Sequence, residues 1–168
     1  MQNRKSDDTN QLVTFLLGKE TYGIDIFKIR EVIRSQRINS IPKSPEFIEG
    51  VIEVRNHVIP VINLKRRLGI PEDNVYGQRI IILDLNGRLL GIVVDDISRV
   101  LKLQTKDYEV LPDMVAGDAE SSCIACIAKT DEGLVIIIST ERILTHKERM
   151  ALNNFEKSDK QGISANAS

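Results

Sequence analysis

Few side chains in this chain are able to do chemistry, and their spacing decides what each could do. Cys123 and Cys126 in SCIACIAK are close enough in sequence for a metal or redox pair, but the alternation around them reads as a strand. Positions three apart on a strand point to opposite faces, and no second pair of metal ligands accompanies them, so two buried free thiols are expected. His57 falls at a hairpin turn and His146 in a charged stretch beside Lys147 and Glu148, so both are expected to be solvated. GKET at residues 18–21 resembles the end of a phosphate loop, yet lacks the glycine such a loop needs upstream, and is expected to be a turn. Asp95 and Asp96 form an acidic pair that could hold a cation. Strand neighbours point apart, however, and two solvated strand-end charges are expected. No GxGxxG, GxSxG or HExxH motif occurs. Without convergent polar groups or a cofactor motif, the residues predict a binding protein with no cofactor rather than an enzyme.

What stands out instead is charge inside apolar segments. In GIDIFKIREVIR, Ile24, Ile26, Ile29, Val32 and Ile33 surround Asp25, Arg30 and Glu31, and in GVIEVRNHVIPV Arg55 lies between two β-branched runs. A buried unpaired charge costs several kcal/mol, whereas a hydrogen-bonded Arg–carboxylate pair roughly breaks even and fixes geometry. Arg55 is therefore expected to pair with Glu31, with Glu53 the rival partner and a solvated turn residue the third reading.

The elements that must position these charges come from an internal duplication. Residues 11–33, QLVTFLLGKETYGIDIFKIREVI, lie without gaps on residues 79–101, RIIILDLNGRLLGIVVDDISRVL; Gly23 and Ile24 fall on Gly91 and Ile92, and Ile29, Val32 and Ile33 on Ile97, Val100 and Leu101. GVIEVRNHVIPVINLKRRL from Gly50 then falls on CIAKTDEGLVIIISTERIL from Cys126, after a short insertion near Gly117 to Ser122. The turn Arg55-Asn56-His57 becomes Asp131-Glu132-Gly133, so Arg55 is not needed to make the hairpin. Each half reads as hairpin, connection, hairpin, in β-branched runs with Asn-Gly and Gly-Lys turns and with prolines at the run edges. Short strands at close spacing suggest small barrels, which remove exposed edges.

The fold class expected is mainly β: two packed small five-stranded SH3-like barrels from the duplication, about residues 11–70 and 79–145, with exchange of strands between them left open. A C-terminal helix is expected over 140–155, capped by Thr140, with Ile143, Leu144, Met150 and Leu152 as a broken apolar stripe. Residues 1–9 and 156–168 read as flexible polar tails around a domain spanning 10–155. The 168 residues are 42% hydrophobic and 28% charged with a net charge of −1, and no apolar run approaches the ~18 residues of a membrane span. Neither a basic field nor aromatic platforms, at 4% of residues, favour nucleic acid. The polar N-terminus lacks the apolar segment of a secretory signal, so a cytoplasmic chain is expected.

YGIDIFKIREVI, INSIPKSPEFIEGVIEVRNHVIPVINLKRRLG and RIIILDLNGRLLGIVVDDISRVL resemble the motifs of CheW-type chemotaxis coupling proteins, over roughly residues 10–152. The resemblance implies two packed five-stranded barrels in a non-enzymatic scaffold. It implies as partners the chemotaxis histidine kinase, through a regulatory domain similar to the adaptor itself, and the cytoplasmic tips of methyl-accepting chemoreceptors, in arrays on the inner face of the membrane. The same scaffold serving a parallel motility or pilus pathway is the alternative, and a small-barrel nucleic-acid module the weaker one. Carried over by position, the resemblance puts Ile29, Glu31, Val32, Gly50, Arg55 and Ile97 on the partner-binding face. The chain departs from the family pattern at Asn56, where glycine is usual, at Cys126, at Ser139 and at Asn63. No receiver domain is expected after the final helix.

Overall fold

In the computed structural model, residues 9–71, 78–111 and 123–154 are described; the polar tails, save Thr9, and the insertion near Gly117 to Ser122 lie outside them. The duplication is visible element by element. The first half forms β1 (Thr9–Leu17), β2 (Glu20–Asp25), β3 (Ile29–Arg34), β4 (Ile48–Val54) and β5 (His57–Asn63), followed by the short helix α1 (Leu64–Leu68). The second forms β6 (Arg79–Leu85), β7 (Arg88–Val94), β8 (Asp96–Gln104), β9 (Tyr108–Glu109), β10 (Ile124–Thr130) and β11 (Gly133–Ile138).

The sheets do not follow the limits of the repeats. One sheet runs β3-β6-β7-β5-β4 and the other β8-β1-β2-β11-β10-β9, so each half lends its first hairpin to the other. The β6–β7 hairpin completes the first barrel, built on β3 to β5, and β1–β2 completes the second. Contiguous barrels at 11–70 and 79–145 are thus repeats of sequence, while the packed units are interleaved. Both sheets close in the same way. Beyond β3 the chain returns through Asn39, which exchanges hydrogen bonds of 2.8 and 2.9 Å with Val51 of β4. Beyond β8 a 3-10 turn, Thr105–Asp107, leads to β9, which pairs with β10 at Ile127, the residue equivalent to Val51. That two-residue β9 makes the second sheet six-stranded.

Alternation along the exchanged hairpins divides the core. On β6, Ile80 and Ile82 pack inside the first barrel with Ile52, Ile59 and Val61, while Ile81 and Leu83 face a core shared between the barrels. That shared core also takes Phe15, Leu17, Tyr22 and Ile24 from β1–β2 and Leu90, Ile92 and Val94 from β7. Leu12, Leu103, Ala128, Val135 and Ile137 fill the second barrel. Each such side chain contributes about 1.5–3 kcal/mol on burial, which is why β6 reads as a continuous apolar run rather than a strict alternation.

The C-terminal helix is shorter than its sequence suggests. Thr140–Arg142 form a 3-10 turn instead, and α2 occupies 146–154 of the described residues. Thr145 caps it in a reciprocal box: the Glu148 amide donates to Thr145 Oγ1 at 3.1 Å and the Thr145 amide to Glu148 Oε1 at 2.8 Å. Ile143 and Leu144 lie in the connection between that 3-10 turn and α2. The break at Thr145 lets both enter the shared core, joined there by Leu152 from α2, while Met150 stays half exposed.

Candidate functional site

The β4–β5 hairpin turns on Arg55 at φ 49 and Asn56 at φ 68. Two consecutive left-handed residues make the tight turn whose twist suits a hairpin, and Asn tolerates that backbone where most residues do not. The turn carries Arg55 over β3. There the β3–β6 ladder slips between Ile29 and Glu31, and along β3 Ile29 and Glu31 are half-buried while Arg30, between them, is exposed. Arg55 Nη2 meets Glu31 Oε2 at 3.0 Å, and Glu53 is not its partner. The arginine itself is solvated, its side chain 78% exposed against 22% for Glu31, so the pair fixes where the guanidinium points rather than stabilising a buried charge.

The other residues singled out from the sequence are distributed around this corner. Val32 faces outward and is 39% exposed. Gly50 is buried at a slip in the β4–β5 ladder, where a β-carbon would stand 2.5 Å from the Asn39 carbonyl oxygen. Its requirement is steric, since the closing segment of the first barrel crosses against its bare backbone. Ile29 and Ile97 occupy equivalent places in the two halves, each packed at the margin of the shared core. The fold thus brings Glu31 and Arg55 into contact, sets Val32 beside Glu31 on the opposite face of β3, and puts Ile97 on β8 of the second barrel.

A second corner repeats the first with its charges reversed. Arg99, the equivalent of Glu31, pairs with Glu132 on the β10–β11 turn at 2.6 Å. Here the ladder slips between Thr14 and Phe15, and the buried Thr14 hydroxyl fills the slip, donating to the Arg99 carbonyl and accepting from its amide. Exposed apolar residues recur in register too: Val32 matches Val100, and Val58 matches Leu134.

Sequence reasoning missed one pair. Asp95 is buried rather than solvated: its carboxylate meets Lys65 Nζ at 2.8 Å and accepts from the Gly18 amide at 2.7 Å. The signal was available in a lysine two residues beyond β5 and an aspartate directly after the apolar run of β7. Asp96 points outward, as strand alternation requires. Cys123 is buried in the shared core and Cys126 half-buried, both as free thiols, and burial raises both pKa values. His57 and His146 are exposed. Among the described residues no cluster of His, Cys, Asp or Glu is arranged to hold a metal ion, and no helix is long and apolar enough to cross a membrane.

The geometry has known counterparts. The CheW-like domain family model matches residues 11–148, which take in both barrels, both ion-paired corners and the start of α2. The chain belongs to the CheW-like family. It is 31% identical to the chemotaxis protein CheW of Treponema pallidum over 154 residues, covering 89% of this chain and 90% of that protein. The CheW of Bacillus subtilis is 29% identical over 135 residues, covering 80% of this chain and 86% of the relative. In three dimensions the chain is similar to the crystal structure of the scaffolding protein TtCheW from Thermoanaerobacter tengcongensis, with a TM-score of 0.70 and 39% identity over 77% of this chain and 88% of that one. The interleaved pair of SH3-like barrels is therefore the CheW-like fold, and the family is one of scaffolds.

Proposed function

We propose that this chain is a non-enzymatic chemotaxis adaptor that couples transmembrane chemoreceptors to the chemotaxis histidine kinase, acting in the cytoplasm at receptor arrays. The observation that carries the reading is the CheW-like match across residues 11–148. The face proposed to meet partners comprises Ile29, Glu31, Val32, Gly50, Arg55 and Ile97. Its physics favours that use: a solvated guanidinium held in place by Glu31 offers directional hydrogen bonds, and exposed Val32 and Val58 offer apolar area that gains from being covered. Gly50 acts at one remove, by letting the first barrel close beneath that face. Ile29 and Ile97, at the margin of the shared core, suit a groove between the barrels that would accept a helical receptor tip.

Affinity capture of the tagged chain from its own cells, beside an Arg55→Ala version, tests the reading. The native bait is expected to recover a histidine kinase and membrane chemoreceptors, with partner recovery falling for Arg55→Ala. Recovery of neither class by the native bait under gentle lysis contradicts the proposal.

A further inference from the structure

The two places where an exchanged hairpin enters the opposite barrel are related by the duplication, and they are built differently. At the first, the β1–β2 turn, the start of α1 and the β7–β8 junction converge. Lys65 and Asp95 are both buried there. One carboxylate oxygen of Asp95 meets Lys65 Nζ at 2.8 Å, the other accepts from the Gly18 amide at 2.7 Å, and the Asp95 amide donates to the Leu16 carbonyl at 3.0 Å. One residue thus ties the exchanged hairpin, the helix and the crossover strand together, enclosed by Leu17 and Leu64 at 1% and 0% exposure.

At the second place every equivalent position is occupied by a different chemistry. Phe27 stands for Asp95 and is 84% exposed. Glu141 stands for Lys65 and Lys28 for Asp96; these two meet at 3.3 Å in solvent, with side chains 66% and 37% exposed. Asn86 stands for Gly18. Where the first junction is closed, the second holds a cavity of about 110 Å³ lined by Lys28, Asn86, Thr140, Glu141 and Leu144 among others.

We infer that Lys65, Asp95 and the Gly18 amide form a lock holding the β1–β2 hairpin in the second barrel, and that the barrels part first on the opposite side, at the exposed Lys28–Glu141 junction. A buried charge pair opens only if both charges are left without partners or water is admitted, whereas an exposed pair exchanges its partner for solvent at small cost. Opening is therefore directional, and any partner that alters the angle between the barrels would act through the Lys28–Glu141 side. The inference concerns the scaffold and stands independently of which partners bind it.

Hydrogen exchange on the full chain tests it, comparing the native protein with Lys28→Met and with the double variant Lys65→Met/Asp95→Leu, which replaces the pair by apolar residues of similar bulk and so leaves no buried charge alone. In the native chain the Gly18 and Asp95 amides should be protected at least about tenfold more than the Arg142 amide beside the open junction. In the double variant Gly18 protection should fall about tenfold or more, while Lys28→Met leaves it unchanged. Equal protection at the two junctions of the native chain, or a Gly18 amide indifferent to loss of the lock, overturns the inference. Should the double variant not fold, Asp95→Asn, which keeps an acceptor for Gly18 but removes the charge, must still lower Gly18 protection relative to Lys28→Met; no difference between them overturns it equally.

Discussion

In the first barrel the residue reaching in from the edge strand is Glu31 and the turn answers with Arg55; in the second barrel the strand supplies Arg99 and the turn Glu132. At the junctions Glu141 likewise stands for Lys65 with opposite sign, while its partner Lys28 stands for Asp96 rather than Asp95. Ladder slips, by contrast, fall at equivalent residues in both copies, Ile48/Gly50 matching Ile124/Cys126, and each closing segment pairs at the next position, Val51 or Ile127. Close packing constrains volume and register at each core position, so those features persist in both copies. A solvated ion pair needs only opposite signs, not a particular order. The sign at each corner is thus unconstrained by the fold and available to distinguish what meets one barrel from what meets the other.

Substitutions in the corresponding pairs of the two copies test that division. The largest contrast is expected at the junctions: Asp95→Ala leaves Lys65 buried without its partner and should cost about 3–5 kcal/mol in urea unfolding, against well under ~1 kcal/mol for Glu141→Ala at the exposed counterpart. Next comes the ladder slip. Gly50→Ala drives a β-carbon into the Asn39 carbonyl and should cost about 1–3 kcal/mol or more, while Cys126→Ala at the equivalent place, where the side chain is already accommodated, should change the midpoint little. Equal costs at Gly50 and Cys126 would remove the steric account of barrel closure.

At the corners the effects on stability are small. Arg55→Ala and Glu132→Ala should each change stability by less than ~1 kcal/mol, and Asn56→Gly should be neutral or slightly stabilising, because Asn56 sits at a positive φ that glycine adopts without a steric cost. Least marked is an alkaline trend. Burial raises the thiol of Cys123 and the phenols of Tyr22 and Tyr108, so these groups ionise more readily in the unfolded chain. Their contribution is complete below the ordinary thiol and phenol ranges and is lost as pH rises from there through the raised values. Replacing Cys123 by Ala should flatten the thiol part of that decline in a pH series of thermal melts.

Hairpins and the duplication were legible because period-two apolar runs and turn residues are local signals. The exchange of hairpins was not, since a repeat shows which segments are alike but not with which copy each one pairs. The Glu31–Arg55 contact could be anticipated because charges interrupting apolar segments demand a partner, although Arg55 turned out to be solvated and held rather than buried. Lys65–Asp95 escaped because Asp95 directly follows its strand and Lys65 lies in the short helix just beyond β5, where solvation is the usual fate for a charge, and only the fold brings the two together. The start of α2 escaped because Thr140 and Thr145 both resemble caps, although only Thr145 has a glutamate three residues on, Glu148, to close a reciprocal box.

The central claim is that the ion-paired corner of the first barrel is a partner-binding face whose charge order matters. Purified chain titrated against the regulatory domain of the chemotaxis histidine kinase and against chemoreceptors in membranes, with Glu31→Arg, Arg55→Glu and the two combined, addresses it directly. Each single substitution places like charges together and should weaken binding of at least one partner about tenfold or more. The combined swap restores the pair, and with it the fold of the corner, but reverses the order, so binding should remain weak while stability recovers. Native affinity for both partners in all three variants would contradict the account.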